Sequence, residues 1–316
     1  RDLHLSLRLQ LQMCIRDSCK NDLCSEIVFE FPELQGIMGG KYLKNEGFSE
    51  DVCLAVAEHY LPSFYKDALP STKYGAIVSI ADKIETLISI FISGKRPSGS
   101  SDPYALRRNL NGVIKIIWDY EFDLPLDNLF KELIEFWQIE FPNFNFSKEK
   151  ILNDLNEFLV QRIVSHLEEL SLSKELIKAV CSSNEFSQKR LLNIVDLKNR
   201  LKSIVDFKEK ETFSEIQKVI TRVSKLANSN NLATNVFSTR DYVNTKLFEK
   251  ECELKAFEFI RELEKLFSTG YCNYLKLLNL FEININTIED LFDNCLLYTS
   301  DAADEGLGVD LGGRRI

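Results

Sequence analysis

The feature that most constrains the fold is a run of apolar residues between Pro70 and Gly94. They recur at steps of three and four residues, at Ile77, Ile80, Ala81, Ile84, Leu87, Ile88 and Phe91. Such steps place side chains on one face of an α-helix. The run therefore predicts a long amphipathic helix with one continuous buried stripe, which ends at Gly94.

The rest of the interior also has a helical period. Residues 51–61 carry Val52, Ala55, Val56 and His59 on one face, with Asp51 as a candidate N-cap. Further helices are predicted around 152–167, 175–180, 239–267, 275–280 and 288–292. In the helix at 239–267 the residues predicted to face inward are Val243, Leu247, Cys252, Leu254, Phe257, Ile260 and Leu263. Polar stretches at 181–189 and 228–231 interrupt them. Because no regular series of strands and no repeat of about 20 to 50 residues is visible, we predict an all-α chain.

Composition limits the classes of function. The 316 residues carry a net charge of -9, which excludes a protein coated in positive charge, so any contact with nucleic acid must use local patches. The eight cysteines include no Cys-x-x-Cys pair, which favours reduced thiols and a cytoplasmic location. No run of eighteen apolar residues occurs, so we predict no contact with a membrane.

The two ends differ from the interior. Residues 1–18 alternate leucine with polar residues, and residues 298–316 close with glycines and arginines. We predict that both are non-native segments of the kind left by cloning adaptors and exclude them from the fold. The alternative is a native strand at one end and a native tail at the other.

A glycine-containing motif lies at residues 33–40. Glu33 and Gln35 precede Gly36 and Gly39, a pattern typical of a helix that leads into a turn permitted by glycine. Gly40-Lys41 is followed by Tyr42 and not by Ser or Thr, so the motif is not a phosphate-binding P-loop. We interpret these residues as structural.

Metal chemistry has few available ligands. None of the three histidines, at 4, 59 and 166, precedes an aspartate, so a site built from His-Asp pairs cannot be assembled. Asp82 lies opposite the apolar stripe, which indicates a solvated or capping carboxylate. His59, on an apolar face, is expected to be a core histidine. We predict no metal site and no catalytic residue.

Two basic clusters are candidates for binding RNA. The first runs from the Gly-Ser-Pro loop at 94–101 into a helix that Asp102 caps and that begins at about Pro103; it contains Lys95, Arg96, Arg107, Arg108 and Lys115. The alternative is that Arg107 and Arg108 pair internally with Asp82, Asp102 or Glu85. The second cluster contains Lys218, Arg222 and Lys225, for which an ordinary solvated helix face is the favoured alternative.

Taken in order, Glu-Leu-Gln-Gly-x-Met-Gly (33–39), Ala-Asp-Lys (81–83) and Asp-Pro-x-Ala-Leu-Arg-Arg (102–108) resemble the beta subunit of bacterial glycyl-tRNA synthetase. The resemblance covers about 19–297. It implies an HD-like helical domain at 19–120, a helical connecting region at 121–190, and an incomplete helical bundle of the anticodon-binding type at 191–297. Where an HD dipeptide would align, this chain has Asn21-Asp22.

The resemblance also implies a function. In that family the alpha subunit activates glycine with ATP and Mg, and the beta subunit binds tRNA(Gly) in an alpha2beta2 heterotetramer. We therefore expect a tRNA-binding part of glycine-tRNA ligase with no cofactor of its own. One alternative is an HD-type metal-dependent phosphohydrolase, which three or more His or Asp side chains around Asp82 would favour. Another is a non-catalytic helical scaffold, which internal ion pairs for Arg96, Arg107 and Arg108 would favour.

Overall fold

The computed structural model describes residues 18–64, 66–99, 101–181, 193–229, 243–268 and 273–294. These residues form α-helices joined by short 3₁₀ turns and loops, and they contain no strand beyond one isolated bridge between Ser98 and Ser101. The prediction of an all-α chain is confirmed. None of the helices in these ranges combines the length and the apolar content needed to cross a bilayer.

The chain divides into two compact units after Lys198. The first unit contains α1 (Glu26–Glu30), α2 (Ile37–Asn45), α3 (Glu50–Glu58), α4 (Lys73–Ile92), α5 (Leu106–Tyr120), α6 (Leu126–Glu140), α7 (Lys148–Glu169), α8 (Lys174–Val180) and the start of α9 (Ile194–Lys208). Helix α4 is central, because it packs against α3, α5, α6 and α7. The finer division at 19–120, 121–190 and 191–297, and its HD-like description, remain predictions.

Helix α4 contains the stripe that the sequence predicts, with one shift. Ile80, Ile84, Leu87, Ile88 and Phe91 are buried, as expected. Ile77, however, is 54% exposed and Ala81 is also exposed, so the placement of these two residues in the stripe is wrong. The first half of α4 instead buries Gly75, Ala76 and Ser79. These side chains are small enough for neighbouring backbone to approach, which turns the buried face away from Ile77.

Helix α5 begins later than predicted. Its first residue is Leu106 and not Pro103, and the preceding Ala105 has a left-handed backbone with φ of 56°. The Asp102 side chain still caps the helix, because it accepts hydrogen bonds from the backbone N–H groups of Leu106 and Arg107, both at 2.9 Å. Asp102 therefore has the capping role that we predicted, from a position four residues before the helix.

The glycine motif connects α1 to α2. After a 3₁₀ turn at Pro32–Leu34, Gly36 adopts φ of +80° and α2 starts. The buried Asp22 carboxylate accepts hydrogen bonds from the backbone N–H groups of Gly36 at 2.6 Å and Gly39 at 3.2 Å. Gly40 lies against α3, where an added Cβ would be 2.6 Å from the Cys53 carbonyl oxygen. The motif has the structural role that the sequence predicts.

The second unit contains the end of α9, α10 (Phe213–Ser229), α11 (Glu251–Ser268) and α12 (Tyr274–Asn294). Its core is formed by Phe207, Ile216, Val219, Phe259, Leu263, Ile285, Ile288 and Phe292.

Two predictions about the helices of the second unit are wrong. Helix α11 begins at Glu251 and not near 239, which leaves Leu247 outside it and 73% exposed, and the two predicted final helices are one continuous helix.

Within α11 the buried residues also differ from those predicted. Leu254 is 48% exposed and Ile260 is 38% exposed, whereas Ala256 and Phe259 are buried beside Leu263. The buried face of this helix is therefore rotated from the predicted one.

Several predictions fall outside the described residues. These are the linker at 181–189 beyond Cys181, the end of the polar break at 228–231, and both segments predicted to be non-native, at 1–18 except for Ser18 and at 298–316.

Candidate functional site

The first basic cluster lies at the end of α4, in the following loop and on the first turns of α5. Lys95 is exposed, donates a hydrogen bond to the Tyr104 hydroxyl and lies 4.7 Å from the centre of that ring. This contact closes the loop and keeps an ammonium group at its surface.

Arg96 has an internal role. Its guanidinium forms an ion pair with Asp154 on α7, with 2.8 Å between Nη2 and Oδ2. It also donates to the Phe91 carbonyl oxygen at 2.6 Å. Arg96 therefore ties the loop to α4 and α7, and for this residue the internal ion pair that the scaffold alternative requires is present.

Arg107 and Arg108 differ from Arg96. Among the described residues no carboxylate forms an ion pair with either of them, since Asp82 is bound by Lys20 and Asp102 is used by backbone N–H groups. Arg108 is exposed and Arg107 is half-buried. The condition that would favour a purely structural scaffold, internal ion pairs for all three arginines, is not met within these ranges.

A third arginine adds to this positive surface. Burial, and then the nearby Arg107, lower the pKa of Arg162 on α7 from its ordinary value, while Glu169 and Asp102 oppose that change. The Nε of Arg162 is buried and has no hydrogen-bond partner among the described residues. Two guanidinium groups that repel each other in this way favour an anion close to them.

Lys115 and Arg108 line a small pocket that was not predicted from the sequence. It lies between the turn at 62–64 and one face of α5, and its other lining residues are Pro62, Ser63, Phe64, Asn111 and Gly112. The spacing of Arg108, Asn111 and Lys115 places them on one helix face, which is a signal that could have been found. The sequence carries no comparable signal for Phe64, because tertiary packing brings its turn to α5.

The turn beside this pocket is held by Lys83. This lysine is 4% exposed, and its Nζ donates to the carbonyl oxygens of Tyr60 at 3.0 Å and Leu61 at 3.2 Å. Burial lowers its pKa to about 8, against an opposing effect of Asp82. At Gly112 an added Cβ would be 3.0 Å from Lys83 Cε, so glycine allows α5 to lie close to this lysine.

Asp82 is neither the solvated nor the capping carboxylate that we predicted, since it lies within α4. Its side chain is 16% exposed and forms an ion pair with Lys20. Lys20, in the segment before α1, lies against the face of α4 that carries Asp82. Asp82 therefore anchors this segment.

His59 is a core histidine, as predicted. It is 0% exposed, and its Nδ1 lies 2.7 Å from the Val56 carbonyl oxygen. Burial lowers its pKa. Across the described residues no group of three or more His, Cys, Asp or Glu side chains is placed to hold a metal ion. The feature that would favour a metal-dependent phosphohydrolase around Asp82 is thus not found in that part of the chain.

The second basic cluster lies on α10 in the second unit. Arg222 Nη1 lies 3.7 Å from Asp293 Oδ1, and the guanidinium carbon is 4.3 Å from the centre of the Phe292 ring. Arg222 therefore links α10 to α12. Lys218 and Lys225 are exposed. The two exposed lysines agree with the favoured alternative, a solvated helix face. Arg222 instead contacts α12 and has a structural role.

Comparisons with known proteins give the family. A family model described as glycyl-tRNA synthetase beta subunit matches residues 9–182. This match begins within the segment at 1–18 that we predicted to be non-native, so the boundary at 19 remains a prediction.

Individual relatives agree with the family model. The glycine-tRNA ligase beta subunit of Trichodesmium erythraeum is 35% identical over 280 residues, which are 87% of this chain and 38% of that protein. That of Acaryochloris marina is 38% identical over 74% of this chain and 33% of its own length. That of Thermodesulfovibrio yellowstonii is 37% identical over 90% of this chain and 39% of its own length. The chain thus spans between 33% and 39% of these relatives, and it belongs to the glycyl-tRNA synthetase beta subunit family.

Proposed function

We propose that this chain is a tRNA-binding part of a glycine-tRNA ligase beta subunit. It supports the charging of tRNA(Gly) with glycine, while a partner alpha subunit activates glycine with ATP and Mg. Membership of the family and the names of its relatives support this assignment. In this proposal the chain works in the cytoplasm as part of an alpha2beta2 heterotetramer and contributes no catalytic side chain.

One observation carries the assignment of the binding surface. Arg107 and Arg108 lie side by side at the start of α5 without a carboxylate partner among the described residues, and Arg162 lies nearby. In a chain with a net charge of -9 these guanidinium groups form a local positive patch, and an anion that binds there can also satisfy the buried Nε of Arg162. Guanidinium groups bind phosphate with two parallel hydrogen bonds, so the RNA backbone is a suitable ligand.

The test is a titration of the full chain with tRNA(Gly), comparing the wild type with Arg107→Ala/Arg108→Ala. We expect the double variant to bind at least about 10-fold more weakly, because two charge-assisted contacts are removed. Thermal melting of both proteins tests whether the fold is kept.

The matched control is Lys174→Ala/Lys178→Ala, which removes the same charge from two exposed positions on α8. It is expected to bind tRNA nearly as well as the wild type. Equal losses in the two double variants would mean that only net charge matters and would contradict the assigned surface.

A further inference from the structure

The pocket beside Arg108 brings together side chains of several chemical types, and not only cations that could bind phosphate. It has a volume of about 70 Å³ and is lined on one side by the turn at 62–64 and on the other by one face of α5. It combines an aromatic ring, a guanidinium, a carboxamide and an ammonium, which are contributed by Phe64, Arg108, Asn111 and Lys115.

Phe64 is held at the mouth of this pocket. Its side chain is 61% exposed, and the Arg108 guanidinium carbon lies 5.2 Å from the ring centre. The backbone that carries the ring is fixed, because the N–H groups of Ser63 and Phe64 donate to Asp67 Oδ2 at 3.0 and 2.8 Å. Lys115 in turn donates to the Asp67 carbonyl oxygen at 3.0 Å, which joins the turn to α5. A positioned, exposed ring beside an arginine is a platform on which a flat group can stack.

Asn111 supplies an acceptor that has no hydrogen-bond partner among the described residues. Its Oδ1 is buried and receives no hydrogen bond from the described residues. A buried acceptor without a donor is unfavourable, so a ligand gains from the contact if a rotation of the Asn111 side chain brings this oxygen to its N–H group.

We propose that this pocket takes the base of one unstacked, single-stranded nucleotide. The base stacks on Phe64 and Arg108, and its exocyclic amine, as in adenine or cytosine, donates to Asn111 Oδ1. The cavity has room for about two water molecules, so it admits the edge of the ring while the face rests on Phe64. Bases in a duplex are already stacked and paired, and they cannot enter. This inference rests on the proposed binding of RNA and states which part of the RNA is recognised.

The first test uses the full chain and tRNA(Gly), with Phe64→Ala and Phe64→Tyr. We expect Phe64→Ala to weaken binding about 10-fold and Phe64→Tyr to restore it, because stacking on the ring is lost and then regained. The salt dependence of binding should not change, since phenylalanine carries no charge. Phe29→Ala is the control, because Phe29 is 87% exposed and does not line the pocket.

The second test measures displacement of labelled tRNA(Gly) by single-stranded oligomers of A, C or U and by a blunt RNA duplex. The A and C oligomers should compete better than the U oligomer and the duplex, and Asn111→Ala should remove the preference for A and C over U. Equal binding by Phe64→Ala and Phe29→Ala, or equal competition by the duplex, would overturn the proposal.

The two proposals can fail separately. If Arg107→Ala/Arg108→Ala weakens tRNA binding and Phe64→Ala does not, the base pocket is wrong and the phosphate-binding surface stands. If neither variant weakens binding, both proposals are wrong.

Discussion

At the scale of single residues, Lys83 shows how a charged group can organise a backbone. It is 4% exposed, and it donates to the carbonyl oxygens of residues 60 and 61 and to Ser79 Oγ at 2.9 Å. The two carbonyl oxygens lie just before the turn that carries Phe64. The lysine thus acts as a positioning residue for the proposed pocket, and it is buried among the acceptors that make its burial possible.

The pKa of Lys83 predicts a dependence of stability on pH. Burial lowers this pKa to about 8 from the ordinary 10.5, so between these values the unfolded chain binds more protons than the folded one. The free energy of unfolding must then rise with pH across this window. Relative to Lys83→Met, which lacks the titrating group, the wild type should gain up to about 3 kcal/mol.

Urea unfolding of the two proteins at several pH values between 8 and 10.5 measures this difference. A difference that stays constant across the window would show that the lysine keeps its ordinary pKa when folded. The absolute stability of Lys83→Met is expected to be lower at every pH, because the carbonyl oxygens lose their donor.

At the scale of elements, the contact between α2 and α3 depends on glycine. Gly36 combines a left-handed φ of +80° with close neighbours, since an added Cβ would be 2.9 Å from both the Ala57 carbonyl oxygen and the Tyr60 ring. Gly47, after α2, has a similar φ of +86° but nothing within 4 Å of the added Cβ. The two positions therefore separate backbone strain from steric exclusion.

We predict that Gly36→Ala costs about 1 to 3 kcal/mol more stability than Gly47→Ala. Both variants pay for alanine at positive φ, about 1 to 2 kcal/mol, but only the first must move the backbone of α3. Thermal or urea unfolding of the two variants measures the difference. Equal losses would mean that α2 and α3 can separate at no cost and that the motif is not tightly packed.

At the scale of the whole molecule, binding of RNA must overcome a net charge of -9. The exposed or half-exposed candidate cations of the first unit are Lys95, Arg107, Arg108 and Lys115, whereas Arg96 is neutralised by Asp154. The number of phosphates that the chain can neutralise is therefore small, and the salt dependence of binding should be modest.

A plot of log affinity against log salt concentration for tRNA(Gly) should have a slope of about -3 to -4, because each contacted phosphate contributes about -0.7 to -0.9. Arg107→Ala/Arg108→Ala should reduce the magnitude of this slope by the contribution of about two phosphate contacts. Lys218→Ala/Lys225→Ala should leave the slope unchanged. A loss of slope in the second pair would show that α10 also contacts RNA.

Much of the fold could be predicted from the sequence because helical periodicity is local. The stripe of α4, the short α8 and the glycine turn before α2 depend on neighbours within a few residues, and each was predicted. Errors occurred where the burying partner is distant in sequence. Ile77 and Leu254 fit their helical patterns, but the face that becomes buried is chosen by the helices that pack against it.

By itself the sequence determined the class of fold, the motifs that identify the family, and the basic residues around the start of α5, since these depend on residue type and spacing. The tertiary structure alone decided which charges are neutralised: Arg96 by Asp154, and Asp82 by Lys20, while Arg107 and Arg108 keep no carboxylate partner among the described residues. It also brought Phe64 to Asn111 across 47 positions of the chain. The physical reason is that an ion pair or a pocket requires proximity in space, which periodicity along one helix does not encode.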